Sequence, residues 1–253
     1  LCLFWLALRS GRHDALTAAP LAAAILLKTY PGLFLLLLVT RRRWRTTAWT
    51  LGYLAGLVGL RFLVLPGEVW RDWFGHVLPT GGYGSTPFNL FSPAMPWNQS
   101  INGFTARLFL HPDFALVHSP LLAKVAAYIL ALAVLGFVIR LCLGLARRQT
   151  TTFSDQEFAL ILATMYLVAP LSWEHHLVFV LPAALLAVGA LVRGQLDLRP
   201  AVLVALAAAL VAWPLEYLFR IQGPGLLNLL ISLKFLGVVG LWWYTATRLR
   251  HPD

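Results

Sequence analysis

The sequence predicts an all-α fold, a polytopic bundle of transmembrane helices with short broken helices and one long extracytoplasmic loop. Three observations carry this expectation. Of 253 residues, 59% are hydrophobic and 12% are charged, about half the charged share of an ordinary soluble domain. Apolar stretches recur along the whole chain, several of them near the ~20 residues that a helix needs to cross a bilayer. The arginines behind the net charge of +10 stand at the ends of those stretches, where cytoplasmic flanks carry them. That clustering also argues against a nucleic acid as partner, because the charge belongs to helix ends. The chain reads as a single transmembrane domain, residues 1–253, with an extracytoplasmic loop at 66–119 inside it.

Residues 1–9 read as the end of a helix. The opening Leu1-Cys2-Leu3-Phe4-Trp5 has neither Met nor the charged start of a signal peptide, so the chain is expected to be the C-terminal part of a longer protein. A basic turn with Arg9, Arg12 and His13 follows, then an apolar stretch over 15–40 that ends in Arg41-Arg42-Arg43-Trp44-Arg45. One straight span would put one of these basic flanks outside. A hairpin broken at Lys28-Thr29-Tyr30-Pro31-Gly32 keeps both on the cytoplasmic side. The same reasoning applies to 157–192, flanked by Arg147 and Arg148 before it and Arg193 and Arg199 after it, with Ser172-Trp173-Glu174-His175-His176 in the middle. Each limb is shorter than a full crossing, so both turns are expected below the outer surface, where non-helical backbone survives only against protein or water.

Conventional spans are expected at 46–65, 120–144, 200–219 and 226–247, the last with Trp242-Trp243-Tyr244 as an interfacial belt. The 66–119 stretch is long, polar and rich in Gly and Pro, the character of a binding or catalytic loop that closes over a site. Cys2 and Cys142 have no CxxC spacing and read as small core residues.

Ionisable groups at membrane depth are functional by default, which singles out Glu174, His175 and His176. A carboxylate beside an imidazole can hold it charged near neutral pH, which suits a general acid, a general base or a phosphate contact. Adjacent histidines on a helix point about 100° apart, so no metal site is expected. The plain alternative is a solvated turn at the outer interface. Lys28 and Tyr30 combine a cation and a phenol at a helix break, a point-charge partner for a lipid phosphate or a simple kink with a snorkelling lysine. Asn98, Gln99 and Ser100 ahead of Arg107 suit hydrogen bonding to sugar hydroxyls and phosphate, and Asn98-Gln99-Ser100 also matches a glycosylation sequon. Glu68 and Asp72, four apart with Arg71 between them, read as a solvated amphipathic turn or a pair of catalytic carboxylates, and Glu216 and Lys234 as inter-helix partners.

In order, K-T-Y-P-G followed by R-R-R-W-R, then N-Q-S-I-N-G-F-T-A-R, then S-W-E-H-H-L-V-F-V-L-P-A resembles glycosyltransferase family 87, the polyprenol-phosphate-mannose-dependent α-1,2-mannosyltransferases of the GT-C superfamily. The resemblance implies a multi-pass cell-membrane enzyme of GT-C type whose active site faces away from the cytoplasm. Its donor would be a polyprenyl-phosphate-linked sugar, mannose, and its acceptor a glycolipid or polysaccharide of the cell envelope, with no nucleotide sugar and no cofactor. It places Lys28, Tyr30, Asn98, Gln99, Ser100, Arg107, Glu174, His175 and His176 around the donor phosphate and acceptor sugar. The base proposed for this superfamily is an acidic residue in the first extracytoplasmic loop, which is expected upstream of residue 1. The alternatives are a carrier or flippase for lipid-linked sugars, which would show broken helices in inverted repeats, and a GT-C transferase of another sugar. The Arg-, Leu- and Ala-rich composition fits a bacterium with a GC-rich genome.

Overall fold

The computed structural model describes residues 1–11, 13–86, 92–110, 115–147, 153–214 and 227–250. Arg12, Arg148 and Glu216 lie outside the described residues. Among those residues every regular element is helical, as the all-α expectation requires.

Helix α1 (Cys2–Arg9) leads into α2 (Asp14–Leu27). The pyrrolidine of Pro31 has no N–H to give to the Leu27 carbonyl and would clash with it, so α2 cannot run on through residue 31. Lys28 accordingly leaves α2 in an extended conformation, φ −151° and ψ 133°. A single 3-10 turn (Tyr30–Gly32) takes Pro31 near its start, where the missing donor costs nothing, and α3 (Leu33–Thr40) follows. The break expected at Lys28–Gly32 is therefore present. Its limbs return to the same end of the molecule, because the Thr46 hydroxyl near the start of α4 (Trp44–Val64) donates to the Asp14 carboxylate at the start of α2.

The second break is built in the same way. Helix α8 (Asp155–Val168) opens with a capping box, in which Ser154 Oγ accepts the Glu157 N–H at 3.3 Å and the Glu157 carboxylate accepts the Ser154 N–H at 2.8 Å. It stops ahead of Pro170, a 3-10 turn spans Glu174–Phe179, and α9 (Leu181–Val192) leads back. Arg41 Nη2 and Nε reach one oxygen of the buried Glu157 at 2.5 and 3.1 Å. Arg9 meets Asp155 at 2.5 Å, and the Trp5 indole donates to the same carboxylate at 3.1 Å. These charge-assisted bonds tie the feet of both hairpins together, which brings the two breaks together at the other end.

Between α4 and α7 (Pro120–Arg147) lie α5 (Gly67–Asp72), a π turn (Trp73–Val77), a 3-10 turn (Leu78–Gly81) and α6 (Ile101–Phe109). The chain closes with α10 (Leu198–Ala212), α11 (Leu227–Ile231) and α12 (Leu233–Arg250). The stretch expected as one span at 226–247 is thus two helices with a break at Ser232. The 200–219 span is seen as α10, and its last residues lie outside the described ones. Helices α4 and α7 agree with the spans expected at 46–65 and 120–144, and they are the two described helices long and apolar enough to cross a membrane.

Helix α8 is the axis of the bundle. Every residue from Glu157 to Leu167 is buried, the signature of a helix packed on all sides. Helices α10 and α12 approach through small residues, since a Cβ at Gly237 would stand 2.7 Å from the Ala207 carbonyl oxygen.

Candidate functional site

The two breaks meet in a contact between Lys28 Nζ and His176 Nε2. Lys28 is exposed and His176 half-buried. The ring of His176 is fixed from behind, because the Trp173 N–H donates to Nδ1 at 3.1 Å and closes the 3-10 turn. A neutral imidazole whose Nδ1 accepts must carry its hydrogen on Nε2, which puts two potential donors face to face. Two donors cannot bond each other, so the pair holds at most one positive charge.

His175 is exposed, with its ring 4.1 Å from that of His176. Tyr30 is half-buried. Glu174 faces a different partner. Its carboxylate accepts from the buried Lys234 at 2.6 Å, so the expectation that it would hold an adjacent imidazole charged is replaced by an ion pair to α12.

Beneath this turn lies a polar lock built from the 66–119 loop. Asn98, Gln99 and Ser100 have no exposed surface and Arg107 is 2% exposed. Asn98 Oδ1 accepts the Ser172 N–H at 3.0 Å, and its amide donates to the carbonyls of Pro93 and Pro170 at 3.0 and 3.2 Å. Gln99 Nε2 donates to the Ile231 carbonyl and Gln99 Oε1 accepts the Phe235 N–H, both at 2.9 Å. These bonds satisfy the backbone groups left over where α11 ends and α12 begins. Ser100 caps α6 through the Gly103 N–H at 3.2 Å. Arg107 donates from Nε to Ser232 Oγ at 2.9 Å and from Nη1 to the carbonyls of Asn98 and Met95 at 2.8 and 3.2 Å. Burial pushes it down to about 9, so it is still a cation at neutral pH.

The structure therefore sorts the nine candidate residues into two groups. Lys28, Tyr30, Glu174, His175 and His176 gather at the breaks, while Asn98, Gln99, Ser100 and Arg107 are directed into the chain's own backbone. With Asn98 fully buried, the sequon match is not a glycan acceptor. Ser232 was not singled out from sequence, since a lone serine in an apolar run carries no signal until Arg107 is seen beside it. Helix α6 crosses this lock with almost no clearance, and a Cβ at residue 103 would fall 2.0 Å from the Asn98 carbonyl oxygen. Gly103→Ala is expected to cut the yield of folded protein sharply and to lower its unfolding temperature by several degrees. Thermal unfolding in detergent checks this, and an unshifted transition would mean that α6 is free to move aside.

Residues 1–170 match glycosyltransferase family 87. The chain belongs to glycosyltransferase family 87. The matched part takes in the first break, the Asn98–Arg107 segment and α8, and ends two residues before Ser172. This family 87 chain is 29% identical over 201 residues to a polyprenol-phosphate-mannose-dependent alpha-(1-2)-phosphatidylinositol mannoside mannosyltransferase of Mycobacterium tuberculosis, an alignment covering 78% of this chain and 42% of that protein. The chain thus spans about two fifths of the length of this relative. No solved structure matches it.

Proposed function

We propose that this chain forms part of a multi-pass membrane glycosyltransferase that moves mannose from a polyprenyl-phosphate carrier to a glycolipid or polysaccharide acceptor on the extracytoplasmic side. The observation that supports this most is the meeting of Lys28 with His176. Two helix breaks, 148 residues apart in sequence, present a cation, two imidazoles and a phenol together at the end opposite the basic feet. The family and the name of the relative supply the donor class.

In this reading the anomeric carbon loses its bond to the carrier phosphate and gains one to the acceptor oxygen, whose proton leaves to a base. Negative charge grows on the departing phosphate. Lys28 and the Nε2–H of His176 currently face each other, and a phosphate oxygen placed between them gives both donors an acceptor. His175, exposed beside them, adds a third donor. Asn98, Gln99, Ser100 and Arg107 hold the turn in place from below. The described carboxylates nearest the helix feet and the breaks are engaged elsewhere, Glu174 with Lys234, Glu157 with Arg41, Asp155 with Arg9 and Asp14 with Thr46. The reading therefore assigns the phosphate half of the reaction to these residues and names no base.

A transfer assay separates this from a carrier. The full-length protein, given polyprenyl-phosphate mannose labelled in the sugar, is expected to place label on a phosphatidylinositol mannoside and to release free polyprenyl phosphate. Movement of intact donor across a vesicle membrane, without release of the carrier phosphate, would replace the transferase with a flippase. Cysteines at the exposed positions Thr29 and His175 should react with an impermeant thiol reagent from the extracytoplasmic side. Ser172, fully buried with its hydroxyl on the Tyr166 carbonyl at 2.6 Å, is unsuited to that measurement.

A further inference from the structure

Fold stability does not account for the ion pair between Lys234 and Glu174. An ammonium inside an apolar helix is costly, and residue 234 stands in the first turn of α12, where the positive end of the helix dipole repels a cation. A buried ion pair returns its desolvation cost only in part, and apolar side chains of similar size commonly serve as well. The backbone on either side of Lys234 is nonetheless firmly held. Ser232 Oγ accepts from Arg107 Nε, and the Phe235 N–H donates to Gln99 Oε1, both at 2.9 Å. The lysine side chain, 7% exposed, is thus carried on the polar lock and reaches Glu174 Oε1 at 2.6 Å. Glu174 opens the 3-10 turn that also holds His176, and residues two apart in such a turn lie about 4 Å apart along its axis. The Glu174 side chain is 37% exposed, which gives its carboxylate enough water to stay ionised without a partner.

We infer that Lys234 is a positioning residue that keeps the gap between Lys28 and His176 open to an anion, by cancelling the charge of Glu174 and fixing the direction of its carboxylate. This role presumes the donor phosphate at the breaks, as proposed above. An unpaired carboxylate on the same turn as His176 would repel that phosphate. Within a Debye length of about 8 to 10 Å, salt screens the repulsion poorly. A free carboxylate would also compete with the phosphate for Lys28 and for the Nε2–H of His176. Lys234 removes both effects, because a cation fixed to the lock takes the carboxylate first. It acts through Glu174 and touches neither donor nor acceptor.

The test is equilibrium binding of sugar-labelled polyprenyl-phosphate mannose to the full-length protein in detergent, without acceptor, so that no turnover is needed. Lys234→Met is expected to weaken binding about tenfold, through the uncovered charge of Glu174. Lys234→Arg should bind close to wild type, because the charge is kept. Lys234→Met combined with Glu174→Gln should recover most of the loss, since no charge is left to oppose the phosphate. A merely structural role predicts the reverse, because the second substitution restores no contact and affinity is read per folded molecule. Glu174→Gln alone keeps an acceptor for Lys234, should bind donor at least as tightly as wild type, and reads the same charge even where Lys234→Met does not fold. Equal affinity of wild type and Lys234→Met, a double variant as weak as the single one, or weakened binding by Glu174→Gln would overturn the role. A wild type that binds no donor would instead remove the proposed function, and this role with it.

Discussion

Replacing Lys28 with Met in the full-length protein is expected to lower the rate of mannosyl transfer by about two to three orders of magnitude, the usual cost of losing one positioned donor to a developing oxyanion. Lys28→Arg should recover part of that loss, because the charge is kept while the geometry changes. The side chain is exposed and lies outside the core, so neither change should disturb folding. The loss is expected in kcat more than in KM, since the phosphate carries its greatest charge as it departs. Met tolerated as well as Arg would show that charge at residue 28 is irrelevant. The reading would then rest on His175 and His176 alone.

Arg107→Leu is expected to act through the opposite route. The substitution removes the guanidinium from Ser232 Oγ and from the carbonyls of Asn98 and Met95, of which the Met95 carbonyl keeps the Asn98 N–H at 2.9 Å. At about 1 to 3 kcal/mol for each buried group that loses its partner, a loss of roughly 2 kcal/mol follows. Protein that still folds should lose transfer only in part, because Arg107 steadies the second turn through Asn98 and does not itself face the breaks. Thermal unfolding alongside single-turnover transfer decides the matter. A variant with an unshifted transition and abolished transfer would make Arg107 a substrate contact after all.

The two breaks were legible in the sequence because their causes are local. Pro31 and Pro170 end the helices before them, and the placement of arginines requires each limb to return to its own side. The break at Ser232 was not legible. Nothing in Ile231-Ser232-Leu233 opposes a continuous helix, and the interruption is satisfied from 132 residues away by Gln99 and from 125 away by Arg107. The polar run Asn98-Gln99-Ser100 looked like a ligand surface for the same reason. Side chains suited to sugar and phosphate are equally suited to orphaned peptide groups, and only the fold says which they meet. Glu174 followed the same pattern. Its sequence neighbours suggested an acid–imidazole pair, whereas Lys234 lies 60 residues on and reaches it first.

The Asn98–Arg107 lock also limits how the protein can move. A segment bonded at once to the second turn through Ser172, to the end of α11 through Ile231 and to the start of α12 through Phe235 cannot swing as a separate flap. Any opening for a lipid must carry α6, the second turn and the top of α12 together as one rigid block. Among the described residues no such clamp holds the Lys28 bend, where the extended Lys28, Thr29 and a 3-10 turn join α2 to α3, so a hinge is expected there. Movement of the first hairpin against that block would part Lys28 from His176 and open a gap between them. Entry and exit of the carrier phosphate and the making and breaking of that one contact would then be the same event.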